Sequence, residues 1–323
     1  MTDWNYTDAS AMHFVFVGIP GLQEMEIRMT LFVFFLAIYI ITLIENFFFL
    51  LAIKLDHTLQ SPMYLFICNL AILDILIPSV TIPEMLYFLI VENGTIAFGP
   101  CIMQMYFYLS LLITESFTLV AMAYDRYQAI CNPLHYATIM TTNYAFALSA
   151  LCWTIGIMRG APYVYFVLTA SFCGPKRIEY FCCDYSSIIL LACTDVTIQN
   201  ASDKIISLII ISVQLFLVLF SYGKIISAVL RISSFEGQRK AFSTCASHPL
   251  VISVFYLIIA LVLVSYAVPG FSEQVRSLAA IVQNIIPSLV NPIIYCIKTK
   301  EIRVSIIKLI NKYKLGSLCF QDE

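Results

Sequence analysis

The chain has 323 residues, 60% of them hydrophobic and only 12% charged, with a formal net charge of −2. A soluble domain carries about twice that charge fraction, and at a mean hydropathy of +0.88 only a bilayer suits most of the surface. The small net charge and the lack of a basic stripe exclude a nucleic-acid partner.

The first 27 residues contain no Lys or Arg. A secretory signal would open on a basic region, so none is read here and the first span acts as its own insertion signal. Residues 1–28 read as a free N-terminal tail, with a glycosylation sequon at Asn5-Tyr6-Thr7. Seven apolar segments follow, at about 29–53, 63–91, 101–124, 144–168, 204–230, 247–269 and 275–297. Each exceeds the roughly 20 residues that a helix needs to cross. The expected fold is an all-α membrane protein, a seven-helix bundle over 29–297. Residues 298–323 follow as a tail whose "KTKEIRVSIIKLINKYK" alternates basic and apolar positions, as a surface helix lying on membrane lipid does.

Charge bias sets the orientation. With the N-terminus outside, twelve Lys and Arg fall on the inner side and six on the outer. The sequons at Asn5, Asn93 and Asn200 then all lie outside. So do Cys101, Cys173, Cys182, Cys183 and Cys193, where disulfides persist. Five thiols permit fifteen ways of forming two bridges, and spacing does not choose between the adjacent Cys182 and Cys183.

The third span ends on "MAYDRYQAIC". Snorkelling explains a terminal Arg126 but explains Asp125 poorly. A local ion pair lowers the cost of both charges, and a competing contact can break it. Such a pair suits a two-state latch. The seventh span carries Pro287 and Pro292, each of which frees a backbone carbonyl and predicts a kink. Asn46, Asp74, Glu115 and Asn291 are candidates for a polar interior beside it.

Seven spans with "DRY" closing the third and "NPIIY" closing the seventh resemble the rhodopsin-like G-protein-coupled receptors. Asn46, Asp74, Trp153 and Tyr222 match that family's reference positions in spans one, two, four and five. "PMYLFICNLAILD", "MAYDRYQAICNPLHY", "KAFSTCASH" and "NPIIYCIKTKEIR", with the long "FCGPKRIEYFCCDYSSIILLACTD" loop, resemble the olfactory (odorant) receptors from about residue 14 to 310. The chain departs from that pattern at Glu45, Glu84, Pro249 and Leu257. The first two put the electrostatics in question.

The resemblance implies a receptor, not an enzyme. It would bind a small organic odorant in the outer half and activate a heterotrimeric G protein of the stimulatory, cAMP-raising type. It would reside in the plasma membrane of olfactory sensory neurons. The alternative is a non-olfactory rhodopsin-like receptor for another small ligand. The implied switch comprises Asp125, Arg126, Tyr127, Tyr222, Asn291, Pro292 and Tyr295. The implied bridges are Cys101–Cys183 and Cys173–Cys193. No cofactor is implied, apart from a sodium ion at Asp74 and Glu115 as modulator. Helical phase and the resemblance together place the ligand among Tyr108, Leu109, Leu112, Ile113, Ser207, Ile211, Tyr256, Ile259, Leu263, Ile281 and Asn284, with Tyr185 as a lid. Arg159, about 9 Å beyond Trp153 by helical rise, would attract a carboxylate. Glu84, about 15 Å beyond Asp74, would attract a cation. Ligand charge stays open at this point.

Overall fold

The structure is a computed structural model that describes residues 13–16, 24–91, 94–173, 176–178, 180–239, 247–267, 270–271 and 273–319. Seven helices are long and apolar enough to cross a membrane. They are α1 (Met25–Leu55), α2 (Pro62–Ile90), α3 (Phe98–Cys131), α5 (Thr142–Thr169), α7 (Thr197–Leu230), α8 (Ser247–Ala267) and α9 (Glu273–Lys298). Three shorter or flanking helices are also described: α4 (Pro133–Ile139), α6 (Tyr185–Ile189) and α10 (Lys300–Cys319). All seven expected spans are present, most of them longer than their apolar runs. The expected sequons at Asn5 and Asn93 lie outside the described residues.

Chemistry at the ends sets the boundaries. Pro62 and Pro133 occupy first turns, where a missing N–H costs nothing. The Thr141 hydroxyl caps α5 by accepting from Tyr144 N at 3.2 Å. Between α1 and α2, Asp56 accepts from Thr58 N at 3.1 Å and closes a short turn. Those hydrogen bonds hold its carboxyl below the usual range.

The bundle is inverted relative to a soluble domain. α1 and α7 turn Phe34, Ile41, Phe47, Leu208, Phe216 and Leu219 outward, as a lipid-facing surface requires. Asn46, Asp74, Glu115, Ser288 and Asn291 are buried. They form a polar layer between two apolar clusters. One cluster holds Phe14, Ile77, Met105, Tyr108 and Ile285, and the other holds Phe49, Ile67, Leu70, Met122 and Tyr295. α9 continues as a helix through Pro287 and Pro292. The carbonyl that Pro292 leaves without a helical donor belongs to Ser288. Asn46 Nδ2 on α1 donates to it at 3.0 Å, so a neighbouring helix completes the bond that proline removed.

The sequence did not foresee a small sheet at the end that carries the disulfides. β1 (His13–Phe16) is its central strand, antiparallel to β2 (Thr95–Ala97) and parallel to β3 (Arg177–Ile178). Part of the expected free tail is therefore pinned down. "HFVF" alternates, and Phe14 and Phe16 are buried. Phe14 lies against Phe98 and Phe172, and Phe16 stacks on Phe88 at 4.0 Å. At the opposite end α10 docks on α1 through Ser305, whose hydroxyl donates to Ala52 O at 3.1 Å.

α3 and α5 approach each other closely at Gly156. A Cβ added at Gly156 would collide with Thr114 Oγ1 and lie 2.5 Å from Ser110 O. Trp153 Nε1 fixes the same face by donating to Asn69 Oδ1 at 3.1 Å. Overpacking of this kind costs about 1–3 kcal/mol or more. Gly156→Val is expected to lose most of its surface delivery. Gly223→Ala, where an added Cβ meets nothing within 4 Å, should be delivered normally. Surface immunolabelling of matched cell lines checks both.

Candidate functional site

A cavity of about 300 Å³ opens between α3, α5, α7, α8 and α9 at the disulfide end. Helical phase brings Tyr108, Leu109, Leu112 and Ile113 of α3 onto one wall, and Ser207 and Ile211 of α7 onto another. Ile259 and Leu263 of α8 face them, and Tyr185 of α6 closes the top. Three expected residues do not line it. Tyr256 turns to the second apolar cluster while its neighbour Phe255 takes the wall. On α9 Gln283 lines the cavity. There Ile281 is packed in the first cluster, and Asn284 Nδ2 donates to Thr81 Oγ1 at 2.7 Å. On α9 the expected phase was off by about one residue, or about 100° of rotation. On α8 only Tyr256 is displaced, and that helix is apolar on every face, so no stripe fixes its phase.

The charges are arranged differently from either expectation. Arg159 Nη2 donates to Asp203 Oδ1 at 2.6 Å and to Ser207 Oγ at 3.5 Å. Tyr163 OH donates to the same Asp203 oxygen at 2.6 Å, and the guanidinium lies 4.6 Å from the Tyr163 ring centroid. Arg159 is therefore already paired. Glu84 is absent from the lining and takes a 3.4 Å bond from Gln104 Nε2. Arg159 and Tyr163, four apart on one helix face, were visible in the sequence. Their acid on another helix was not.

The lid is a tethered loop. Cys101 on α3 is bonded to Cys183, and Cys173 to Cys193. Gln104, one turn along from Cys101, accepts from Cys183 N at 2.8 Å and donates to Val80 O at 2.9 Å. Asp184 then caps α6 by accepting from Ser186 N at 3.1 Å. Burial pushes the Asp184 carboxyl up. Cys182 is free and fully buried. Burial, with the Asp184 and Glu84 charges, pushes its thiol well up, so it stays protonated and a poor nucleophile.

In the polar layer, Asn291 Nδ2 donates to both Asp74 oxygens at 3.1 Å. Glu115 and Glu45 lie within electrostatic reach of Asp74. Glu45 Oε1 and Asn46 Oδ1 are buried with no hydrogen-bond partner among the described residues. Among those residues no group of three His, Cys, Asp or Glu is gathered for a metal.

At the end opposite the disulfides, Arg126 Nε donates to Asp125 Oδ2 at 2.9 Å, and Nη2 reaches the same oxygen. Tyr136 OH on α4 donates to Asp125 Oδ1 at 2.8 Å. Burial and then the Asp125 charge push the Tyr136 phenol up, so it remains a donor. Tyr295 is buried against Phe49 and His248, and Tyr222 packs on the same cluster. Tyr127 is not brought to the pair. It lies beside Phe220, in an apolar groove between α3, α5 and α7. Sequence reasoning missed Tyr136, although "NPLHY" places it within a short helix of Asp125. A cleft of about 560 Å³ beside Arg126 is lined by Tyr64, Glu236, Arg239, Ser247, Lys298 and Glu301 among others.

Seven spanning helices, a buried Asp-Arg pair ending the third and Asn-Pro-x-x-Tyr in the last define a receptor bundle. The chain matches the olfactory receptor family over residues 35–313. It is 39% identical to human olfactory receptor 6B1 over 92% of this chain and 94% of that one. It is also 39% identical to human olfactory receptor 6N1, over 91% and 93%. Mouse olfactory receptor 6B9 is 37% identical over 95% of each chain. The chain belongs to the olfactory receptor family. It is a multi-pass membrane protein and a receptor, not an enzyme.

The lid geometry distinguishes two adjacent cysteines. Cys183→Ala removes the tether to α3 and should cut surface delivery several-fold, as loss of a bridge worth about 2–5 kcal/mol does. Cys182→Ala should be delivered at near wild-type level. Non-reducing peptide mapping with surface immunolabelling checks both. A Cys101–Cys182 peptide would contradict the pairing.

Proposed function

We propose that the chain sits in the plasma membrane with its N-terminus and disulfides outside, as the Lys and Arg bias favours. There it binds a small organic odorant in the Tyr108–Tyr185 cavity and activates a stimulatory, cAMP-raising G protein. Olfactory sensory neurons are the proposed setting. The observation that carries this reading is the layout of α3. One helix lines the cavity at one end, crosses the polar layer at Glu115 and ends on the Asp125–Arg126 pair.

The cavity is mostly apolar and lies at the small end of the range for ligand pockets, which runs from about 300 Å³. An agonist touching Leu112 on α3 and Ile259 on α8 biases the two helices relative to each other. α8 begins at Ser247, which lines the cleft beside Arg126. Outward motion of that end widens the cleft and frees Arg126 from Asp125. A G-protein helix then docks as an amphipathic helix in a groove. Tyr222 and Tyr295 stabilise the released arginine. Arg239 and Lys298 at the rim suit an acidic partner or lipid phosphate.

The polar layer fits a monovalent cation. Buried carboxylates at Asp74 and Glu115 cannot both ionise cheaply without one, and the Asn46 Oδ1 acceptor is unused. Bound there, sodium would supply the compensating charge and hold α2 and α3 in the resting packing.

Leu112→Trp fills the cavity and should abolish odorant-evoked cAMP at matched surface level. Arg126→Ala should also abolish cAMP output at matched surface level. Normal output from either variant contradicts its assigned role. Asp74→Asn and Glu115→Gln should each flatten the dependence of agonist potency on external sodium, read as a potency series in sodium against choline.

A further inference from the structure

One wall of the cavity is charged but balanced. Arg159 and Asp203 cancel, and Tyr163 and Ser207 complete their hydrogen bonds. Two donors in the same wall are left over. Arg159 Nε and the Tyr185 hydroxyl are buried without a hydrogen-bond partner among the described residues. Both residues line the cavity. Tyr185 is 4% exposed, and its ring lies 4.6 Å from that of Tyr163. A buried donor without an acceptor is costly, so each favours an occupant that brings one.

Resting on the reading of this cavity as the agonist site, we infer that the receptor selects uncharged amphiphiles. These carry one hydrogen-bond acceptor, a carbonyl or ether oxygen, on a short apolar body. The oxygen lies between the Tyr185 hydroxyl and the Arg159 guanidinium. The apolar body lies along Leu109, Leu112, Ile259 and Leu263. At about 30 Å³ for each water-sized unit, the cavity admits on the order of ten non-hydrogen atoms.

The charges exclude the alternatives. A carboxylate would meet an arginine already neutralised by Asp203, and would sit beside that acid in a largely desolvated site. Asp184 in the same lining adds a second acid. An ammonium would have to compete with Arg159 for Asp203, and Asp184 is engaged as the cap of α6. A neutral acceptor leaves the ion pair intact, and breaking one partner of such a pair is what costs most.

The test uses the full chain at the cell surface, with cAMP and calcium read together so that G-protein type does not decide the result. The probes are matched straight-chain aldehydes, carboxylates and amines from pentyl to nonyl. Aldehydes should activate, with carboxylates and amines weaker by about tenfold or more. Asp203→Asn keeps the shape and the acceptor for Arg159 and Tyr163 but removes the anion. In that variant carboxylates should gain at least about tenfold relative to aldehydes. Tyr185→Phe should weaken aldehydes several-fold. Silence to every aldehyde, equal or better potency of carboxylates or amines, or an unchanged ratio in Asp203→Asn would overturn the inference. If Asp203→Asn does not reach the surface, Tyr185→Phe decides, and unchanged aldehyde potency overturns it. Responses that survive Leu112→Trp overturn the site reading itself. Responses lost in Leu112→Trp, together with an unchanged Asp203→Asn ratio, overturn only the selectivity.

Discussion

A bilayer core offers no water to a polar group, and the architecture follows from that one constraint. Backbone groups are satisfied within helices. Several polar groups that the helices leave over are met by named partners. The Ser288 carbonyl, released by Pro292, is taken by Asn46 from another helix. Asp74 is held by Asn291, Asp125 by Arg126 and Tyr136, and Asp203 by Arg159 and Tyr163. Each of these polar contacts can be exchanged only for another polar contact. The chain therefore moves between discrete arrangements instead of deforming smoothly, which is what a receptor needs.

α3 runs past all of these layers and carries one of the contacts, the Asp125–Arg126 pair, itself. Its first turn carries Cys101 and so anchors the loop that roofs the cavity. Its middle packs against Gly156 so closely that a single added carbon does not fit. The ion pair stands near its other end, about one to two turns before Cys131. A helix fixed at both ends and along one flank transmits a bias from the cavity better by rotation or shift than by bending. The neighbour left freest to respond is α8, whose lower end borders the cleft beside Arg126.

The cavity and the cleft differ in electrostatic character. In the cavity Arg159 is cancelled by Asp203 at close range, and the rest of the wall is mainly aliphatic and aromatic. In the cleft Arg126, Arg239, Lys298 and Lys300 stand with Glu236 and Glu301. A balanced, half-buried site suits uncharged solutes that have already crossed an aqueous layer. A basic rim suits a macromolecule bearing acid groups or the headgroups of the membrane. The two ends thus differ in charge, in the sense that the proposed partners require.

The sequence by itself determined the number and place of the spans, because length and hydropathy are local properties that a bilayer reads directly. It also pointed to the Asp125–Arg126 pair, since an acid beside an arginine at the inner end of a span has no other evident use, but helix neighbours point about 100° apart and only the structure shows the two side chains meeting. Most of the cavity wall followed too, from helical phase taken together with the resemblance to the olfactory receptors. Tertiary structure decided what depends on separated segments. Arg159 reads as a lone cation until Asp203, 44 residues away, is placed beside it. "HFVF" reads as part of a tail until β2 and β3 flank it. The rotation of α8 and α9, and hence Phe255 and Gln283 in place of Tyr256 and Asn284, was set by packing against neighbours. α8, apolar on every face, contains no local signal for which way it turns.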